Sequence, residues 1–378
     1  MKIAVMKDLH PGEKRVPIIP ATAASLVKLG AEVLIEQGMG ESAFFVDEDY
    51  TKEGAQIVHD RRSLLADSDL VIRLRRPSVD DIVLLKKGSI HISYLDPFNE
   101  PSLIDKFIKQ GVSAISMELI PRTTLAQKMD ALSSQASLAG YVAVILAADK
   151  VDKVFPMMMT PAGTIAPVKV FVIGAGVAGL QAIATAKRLG ARVDAFDTRP
   201  VVEEQVQSLG AKFIKIDLGE TGQTKDGYAK ELTQEQIAKQ REAMARYCAQ
   251  ADVVITTAQV FGRKAPVIIT GDMIKGMRPG SVIVDLAVET GGNVEGSVSG
   301  KTVDINGVSI IGMENLPGRV AIHASQMYSS NVGNLIAHFW DKDAKTFHLN
   351  LEDEIIRGCL VTHNGAIFSE TLNMQKKG

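Results

Sequence analysis

Cysteine is scarce in this chain of 378 residues, which contains only Cys248 and Cys359. Two thiols cannot build a disulfide framework or a tetrahedral thiolate zinc site, and such scarcity is typical of a reducing compartment. A single disulfide between the two stays open at this point. The seven histidines are scattered without the spacing of metal ligands, so no metal site is predicted.

An excess of charge of one sign is also lacking, since 42 Lys and Arg residues face 44 Asp and Glu residues. This balance argues against nucleic acid and against an anionic membrane surface as partners. The composition is 46% hydrophobic and 23% charged, which is typical of a soluble globular protein and excludes a disordered one. At about 150 residues per domain, the length predicts two to three domains.

Long hydrophobic segments are not evident. The apolar patch near the N-terminus spans only four residues, which is too short for a secretory signal. One uncharged stretch, residues 170–186, contains three glycines and lies between Lys169 and Lys187. It predicts a strand, a turn and a helix rather than a membrane span. No apolar segment of about twenty residues is expected, so direct membrane insertion is not predicted.

Alternating strand and helix patterns run through the chain and predict an α/β fold. We expect two Rossmann-like, doubly wound parallel-sheet domains separated by a cleft. The N-terminal domain covers residues 1–135 and is completed by residues 321–378, and the second domain covers residues 136–320. Residues 122–150 have a mainly helical pattern and predict a connecting helix. Met157 to Met159 are expected to pack against the second domain.

A glycine turn follows a β-branched, aromatic strand and opens a helix. Its residues are Gly174, Ala175, Gly176, Val177, Ala178 and Gly179. The first glycine allows a tight turn, the second lets the backbone approach a pyrophosphate, and the third lets the helix pack closely on the strand. The free N–H groups of the helix N-terminus would hold the pyrophosphate.

A carboxylate follows the glycine turn at the expected distance. Asp197 ends the next strand, and Thr198 and Arg199 follow it. A carboxylate at this place accepts hydrogen bonds from ribose hydroxyls and repels a 2′-phosphate, so NAD(H) is predicted rather than NADP(H). Arg199 argues against this preference for NAD(H), because a guanidinium can bind a phosphate. Further candidates for nucleotide contact lie in loops after strands, namely Thr257, Ala258, Leu286 and Glu289.

Several segments resemble one superfamily. The opening residues 2–40, the segment GMRPGSVIVDLAVETGGN and the segment ENLPGRV are similar to those of alanine dehydrogenases and of the NAD(H)-binding component of proton-translocating transhydrogenase. The resemblance covers essentially the whole chain. It implies NAD(H) as cofactor and hydride transfer as chemistry.

Two positions separate the branches of this superfamily. Alanine dehydrogenases carry a lysine where this chain has Arg75 and a catalytic histidine where it has Asp96. Oxidation of an amino acid needs a proton acceptor, and a neutral imidazole suits that role near pH 7. Because both groups are replaced, the resemblance favours the transhydrogenase branch.

The segment PRTTLAQKMDALSSQ resembles the Arg–Gln–Asp loop of transhydrogenases. Arg122, Gln127, Asp130 and Ser133 match that loop residue by residue. The resemblance implies that Arg122 and Asp130 hold the dihydronicotinamide and that Gln127 reaches toward the second nucleotide. Their spacing of three predicts that Gln127, Asp130 and Ser133 share one helix face. Tyr228 lies in a polar segment that resembles the mobile lid of the family.

The resemblance also implies partners, because one dinucleotide site cannot transfer hydride alone. NADP(H) would be bound by a separate component, joined to membrane-spanning subunits that translocate protons. It implies a homodimer that is cytoplasmic and attached peripherally to the inner membrane, and a Si-/Re-specific transhydrogenase. Two alternatives stay open: a free-standing NAD-dependent amino-acid dehydrogenase of the alanine type, for which Arg15 could hold a carboxylate, and a non-catalytic NAD(H) sensor.

Overall fold

Short apolar strands alternate with helices along the chain. The computed structural model describes residues 1–219, 222, 232–259 and 262–375. Their strands are β1 (Lys2–Val5), β2 (Glu32–Glu36), β3 (Gln56–Val58), β4 (Leu70–Ile72), β5 (Ile90–Ser93), β6 (Ser113–Ser116), β7 (Met158–Thr160), β8 (Gly163–Ile165), β9 (Lys169–Ile173), β10 (Arg192–Phe196), β11 (Lys212–Phe213), β12 (Val253–Thr256), β13 (Val282–Asp285), β14 (Lys301–Ile305), β15 (Val308–Gly312), β16 (Trp340–Asp341), β17 (Thr346–Phe347), β18 (Leu360–His363) and β19 (Ala366–Ile367).

The helices fill the segments between these strands. They are α1 (Pro20–Lys28), α2 (Asp47–Lys52), α3 (Arg61–Asp67), α4 (Val79–Leu84), α5 (Pro101–Gln110), α6 (Ala131–Lys150), α7 (Val177–Arg188), α8 (Glu203–Ser208), α9 (Gln234–Gln250), α10 (Gly271–Lys275), α11 (Ala321–His338), α12 (Glu354–Cys359) and α13 (Glu370–Gln375).

The chain divides into two units, each with its own parallel sheet. The first unit contains residues 1–135 and 318–378, and the second contains residues 136–317. The boundary after residue 135 falls inside α6, so this helix carries the chain from one unit to the next. The predicted α/β class with parallel, Rossmann-like sheets is confirmed.

The sheet of the first unit has the strand order β19-β18-β6-β5-β4-β1-β2-β3. Strands β1 to β6 are parallel, whereas β18 runs antiparallel to β6 and β19 runs antiparallel to β18. Alternate residues of β1 face opposite sides of the sheet. Ile3 belongs to an apolar cluster with Tyr328 of α11, and Ala4 belongs to another with Phe107 of α5. Helices therefore cover both faces of this sheet.

The sheet of the second unit has the strand order β11-β10-β9-β12-β13-β15-β14. Its strands are parallel except for β14, which runs antiparallel to β15. Val170 and Val172 of β9 face one apolar cluster, and Phe171 and Ile173 face the other. The chain order reverses between β9 and β12. In doubly wound sheets, ligands bind beyond the carboxyl ends of the strands at such a reversal.

The helix predicted for residues 122–150 is shorter in the structure. It is α6, which begins only after Asp130, and a 3-10 turn (Gln127–Met129) precedes it. Asp130 has an extended backbone, and its Oδ1 accepts the N–H of Ser133 at 2.9 Å. Aspartate favours this N-cap position because its carboxylate satisfies a free helix N–H group. The prediction that Gln127, Asp130 and Ser133 share one helix face is therefore wrong.

Helix α6 also corrects the expectation about apolar segments. It spans 20 residues with a mean hydropathy of 1.5, and by length and composition it could cross a membrane. Its Ala143, Val144 and Ala147 are fully buried in the core of the second unit. A Cβ added at Gly140 would lie 2.1 Å from the carbonyl oxygen of Ala178 in α7. These contacts cover only part of the helix, since 39% of its 18-residue apolar window is buried.

The methionine run lies on a separate hairpin. Strand β7 pairs with β8 in a two-stranded sheet of its own. Met157, Met158 and Met159 are 59%, 43% and 77% exposed. The expectation that they pack against the second domain is therefore wrong, because all three side chains are exposed.

Both cysteines are free and buried, and they lie in different units. The disulfide that the sequence left open is therefore not formed. Burial raises the pKa of the Cys248 and Cys359 thiols to about 12, so both stay protonated near neutral pH.

Candidate functional site

The glycine turn after β9 is held by two very close approaches. Gly174 has a φ of +96°, which favours glycine, and a Cβ there would lie 2.5 Å from Thr257 Oγ1. A Cβ added at Gly179 would lie 1.9 Å from the Gly174 carbonyl oxygen. These two glycines are therefore required by the packing of α7 against β9 and β12.

Gly176 differs from its neighbours because the space around it is open. The nearest atom to a Cβ built there is Arg199 Nη2, at 3.9 Å. Gly176 is the N-cap of α7, and it has no side chain to satisfy the N–H groups of the first turn. Those N–H groups belong to Val177, Ala178 and Gly179, while Ala175 lies buried in the turn. An open backbone surface at a helix N-terminus fits a pyrophosphate.

Asp197 lies at the carboxyl end of β10, beside this turn. Its Oδ2 accepts the Ala175 N–H at 2.7 Å, and its Oδ1 accepts the Arg199 N–H at 2.8 Å. The Arg199 guanidinium adds two hydrogen bonds, from Nε to Oδ1 at 2.9 Å and from Nη2 to Oδ2 at 2.7 Å. These bonds raise the pKa of Arg199. Thr198, between the two, is half-buried.

The loop after β12 is tied to the glycine turn and to Asn293. Thr257 Oγ1 donates to the Gly174 carbonyl at 3.1 Å. Asn293 is fully buried and accepts the Ala258 N–H at 3.0 Å, while its Nδ2 donates to the carbonyls of Ala258 at 2.8 Å and of Pro266 at 2.9 Å. The structure thus places Thr257 and Ala258 together beside Gly174, on a fixed loop.

The loop after β13 is organised by a buried carboxylate. Asp285 is fully buried and accepts the N–H groups of Ala287 at 3.0 Å and of Asn293 at 3.1 Å. Leu286 follows it and is half-buried. Glu289 is exposed, and its carboxylate accepts the Asn315 N–H at 2.8 Å. Glu289 therefore has a structural partner within its own unit.

Tyr228 lies outside the described residues, as does most of the polar segment around it.

The Arg–Gln–Asp segment precedes α6 in the first unit. Arg122 and Gln127 are exposed, whereas Asp130 and Ser133 are half-buried. Ser133 Oγ donates to Asp130 Oδ2 at 2.5 Å, in addition to the N-cap bond from its backbone. Of the four predicted residues, the structure joins Asp130 and Ser133 directly.

Neighbouring elements hold this segment in place. Asn331 of α11 donates to the Lys128 carbonyl at 2.9 Å and accepts the Ser134 hydroxyl at 2.7 Å. The Tyr94 hydroxyl donates to the Ala131 carbonyl at 3.2 Å. These contacts fix the backbone on both sides of Asp130, so its carboxylate has a defined position.

A buried ion-pair cluster surrounds Arg15. The Glu13 carboxylate accepts Arg15 Nε at 2.9 Å, Arg15 Nη2 at 2.8 Å and Arg75 Nε at 2.8 Å. Arg15 Nη1 donates to Gln135 Oε1 at 2.8 Å. Burial raises the pKa of Glu13, but hydrogen bonds and attraction from the two arginines outweigh burial and lower it to about 2. The carboxylate that Arg15 holds is thus one of the chain's own.

Asp96 occupies a strained turn. Its φ is +50°, and the N–H groups of Leu95 and Asp96 both donate to the carboxylate of Glu118, a half-buried residue, at 2.9 and 3.0 Å. Burial raises the pKa of Glu118. Asp96 itself accepts the Asn99 side-chain amide at 2.8 Å. A carboxylate with these partners does not reproduce a neutral imidazole base.

Three residues that shape these sites were not singled out from the sequence. They are Gly140, Glu118 and Asn331, and each acts through a partner that is distant in the chain or packed from another helix. Asp285 and Asn293 also shape these sites. The sequence signal for Asp285 is a polar residue at the end of an apolar strand, β13.

Known families and sequences match the chain over nearly its whole length. The alanine dehydrogenase/PNT N-terminal domain matches residues 4–139, and the alanine dehydrogenase/PNT C-terminal domain matches residues 143–370. The chain is 46% identical over 382 residues to the protein named as the first part of NAD(P) transhydrogenase subunit alpha in Rhodospirillum rubrum. That alignment covers 99% of this chain and 100% of the relative.

Two solved structures show the same architecture. The transhydrogenase from Sinorhizobium meliloti superposes with a TM-score of 0.85 at 39% identity, covering 98% of this chain and 100% of that one. An L-alanine dehydrogenase superposes with a TM-score of 0.82 at 24% identity, covering 100% and 99%. At that identity the second likeness concerns the fold alone.

Proposed function

The chain belongs to the alanine dehydrogenase/PNT family, and from that premise we propose that it is the NAD(H)-binding subunit of a proton-translocating NAD(P) transhydrogenase. The observation that carries the proposal is the open approach to Gly176 at the N-terminus of α7. A backbone surface without side chains, at the positive end of a helix, binds a dinucleotide pyrophosphate.

The second unit would hold NAD(H). The N–H groups of Val177, Ala178 and Gly179 at the N-terminus of α7 would bind the pyrophosphate, and Asp197 would bind the adenosine ribose. The other proposed contacts lie beside them or follow neighbouring strands, and they are Ala175, Thr198, Arg199, Tyr228, Thr257, Ala258, Leu286 and Glu289. Asp197 favours NAD(H) over NADP(H), because its carboxylate repels a 2′-phosphate.

The Arg–Gln–Asp segment would orient the reacting end of the nucleotide. Bound NAD(H) supplies the carbon that gives or receives the hydride. Hydride transfer between two nicotinamides moves no proton at the reacting carbons, so the protein has to orient the rings rather than supply an acid or a base. The residues that would bind the nicotinamide and keep it in one orientation are Arg122, Gln127, Asp130 and Ser133. The two hydrogen bonds between Asp130 and Ser133 support this role, because a fixed carboxylate orients a ring better than a mobile one.

The partner would be a second nucleotide-binding component. The Rhodospirillum rubrum relative is named as the first portion of an alpha subunit, which describes one piece of a larger assembly. We extend this to the chain: NADP(H) is bound by a partner subunit, and membrane-spanning subunits couple the hydride transfer to proton translocation. The chain would act as a homodimer in the cytoplasm, attached peripherally to the inner membrane through these partners, and the reaction would be that of a Si-/Re-specific transhydrogenase.

One observation favours a second candidate, an alanine-type dehydrogenase. Arg15 is buried, and a buried guanidinium is a good carboxylate ligand. Its Nε and Nη2, however, donate to Glu13, and Nη1 donates to Gln135. Asp96 stands at the position where the resemblance places a catalytic histidine. Both features support transhydrogenase over amino-acid oxidation.

The test is a comparison of binding and turnover in the isolated protein. We expect NADH to bind in an equilibrium titration, while alanine with NAD⁺, and pyruvate with ammonia and NADH, give no turnover. The proposal predicts that Asp197→Ala weakens NADH binding. Steady oxidation of alanine would support the dehydrogenase instead, and a protein that binds no NADH would refute both.

A further inference from the structure

The Asp197 carboxylate already has as many donors as it can accept. A carboxylate offers about four acceptor positions on its two oxygens. In the structure these receive the Ala175 N–H, the Arg199 N–H, Arg199 Nε and Arg199 Nη2, at 2.7 to 2.9 Å. Asp197 is also 9% exposed, so little of it faces solvent. A ribose hydroxyl can therefore bind Asp197 only if one of these donors leaves.

The four donors differ in how easily they can leave. The Ala175 N–H belongs to the glycine turn, which is fixed by the contact between Gly174 and Thr257. The Arg199 N–H belongs to the backbone two residues after Asp197. The guanidinium is the end of a long side chain, and it can leave Asp197 without any change in the backbone. It is the movable donor of the set.

We propose that the Arg199 guanidinium is an internal occupant of the ribose site, which must leave Asp197 before a dinucleotide binds. The inference rests on the proposed function, because it takes Asp197 as the acceptor of the ribose hydroxyls. Arg199 Nη2 also lies 3.9 Å from the Cβ position of Gly176, so the guanidinium borders the surface proposed for the pyrophosphate. Besides bordering the bound nucleotide, Arg199 is thus a positioning and specificity residue.

Two consequences follow for binding. Only the form in which the guanidinium has left Asp197 can bind NADH. The need to break this pair therefore lowers the apparent affinity for NADH and slows its association. A displaced guanidinium stays within a side chain's length of Asp197. There it offsets part of the repulsion between that carboxylate and a 2′-phosphate, so Arg199 also reduces the discrimination against NADPH.

The experiment measures NADH and NADPH binding to the wild-type protein and to four variants, of which Asp197→Asn is described last. Arg199→Gln removes the charge and the bidentate pair, and Arg199→Lys keeps the charge without the planar fork. Arg188→Gln is the matched control, since Arg188 is exposed at the end of α7. Dissociation constants come from equilibrium titration of nucleotide fluorescence, and association rates come from stopped flow.

We expect Arg199→Gln to tighten NADH binding by about tenfold, or about 1.4 kcal/mol, mainly through faster association. NADPH binding should weaken or stay unchanged, so the ratio of the two constants changes by at least about tenfold. Arg199→Lys should also tighten NADH binding, by a smaller factor. It replaces Arg199→Gln as the test variant if the glutamine variant does not fold. The control should match the wild type.

Weaker NADH binding by Arg199→Gln would overturn the inference, because contact between Arg199 and the bound nucleotide would then outweigh its occupation of the ribose site. Equal tightening of NADH and NADPH would overturn the specificity role. Asp197→Asn separates this result from the proposed function. If the wild type binds NADH and Asp197→Asn weakens that binding, the nucleotide site stands whatever Arg199 does; if the wild type binds no NADH, the proposed function itself fails.

Discussion

The glycine turn provides a pair of substitutions that separates folding from nucleotide binding. Gly179→Ala would place a methyl group 1.9 Å from the Gly174 carbonyl oxygen, whereas ordinary contact begins at 3.4 Å. Helix α7 and strand β9 would have to separate by about 1.5 Å to remove the overlap, in an interior that is closely packed. Overpacking of this kind lowers the free energy of unfolding by about 1–3 kcal/mol. We expect a value of about 3 kcal/mol here, because the methyl group would overlap a backbone atom.

Gly176→Ala is the matched control, with the same added methyl group three residues earlier. The nearest atom would be 3.9 Å away, and the backbone of Gly176 has a φ of −76°, which alanine adopts without strain. We expect the free energy of unfolding to change by less than about 0.5 kcal/mol. NADH binding should nevertheless weaken by at least about tenfold, because the methyl group stands on the surface proposed for the pyrophosphate.

Calorimetry and NADH titration measure the two effects separately. For a unit of this size, each kcal/mol corresponds to about 2–4 °C in Tm, so Gly179→Ala should lower the melting temperature of the second unit by about 6–12 °C. Gly176→Ala should leave that Tm within about 2 °C. An unchanged Tm for Gly179→Ala, or an equal loss for Gly176→Ala, would refute the assignment of separate roles to the two glycines.

Three further predictions concern single side chains. The pKa of Glu13 in the folded chain, about 2, lies below its ordinary value of 4.5, so the ion pair with Arg15 stabilises the fold above about pH 4.5 and is lost as the pH falls toward 2. In urea unfolding, wild type should be more stable than Glu13→Gln by up to about 3 kcal/mol at pH 6, and this difference should become smaller toward pH 3. A difference that does not change with pH would contradict the ion pair. Asn293→Ala leaves the Ala258 N–H and two carbonyl oxygens without their partner, so the free energy of unfolding should fall by about 2–4 kcal/mol. Hydrogen exchange of the Ala258 amide should become faster, and an unchanged exchange rate would show that Asn293 does not fix this loop. Asp130→Asn keeps an N-cap residue but removes the charge. We expect the rate of hydride transfer in single-turnover kinetics to fall about 100-fold, with little change in NADH affinity. An equal loss of rate and affinity would assign Asp130 to ground-state binding.

The elements of the fold that follow from local pattern were predictable. The strand before Gly174 and the helix after it are marked by β-branched residues and by three glycines at fixed spacing. In the structure they are β9 and α7, with Gly174 and Gly176 in the turn between them and Gly179 in α7. The parallel-sheet class follows from the repeated alternation of strand and helix. These features depend on neighbours within a few residues, which a sequence displays directly.

Features that depend on distant partners were not predictable in the same way. The spacing of Gln127, Asp130 and Ser133 fits a helix, but the carboxylate of Asp130 competes for a helix N–H and starts α6 after it. Strand β18 exists because it pairs with β6, some 250 residues earlier in the chain. The saturation of Asp197 by Arg199 likewise depends on side-chain geometry, which residue spacing does not contain.

The central claim is that this chain transfers hydride only together with an NADP(H)-binding partner. The most direct test mixes the chain with the NADP(H)-binding component of a transhydrogenase, adds NADH and an NADP⁺ analogue with a distinct absorbance, and follows reduction of the analogue in stopped flow. We expect rapid reduction when both proteins are present and none with either protein alone. Binding of NADH without any transfer in the mixture would contradict the claim.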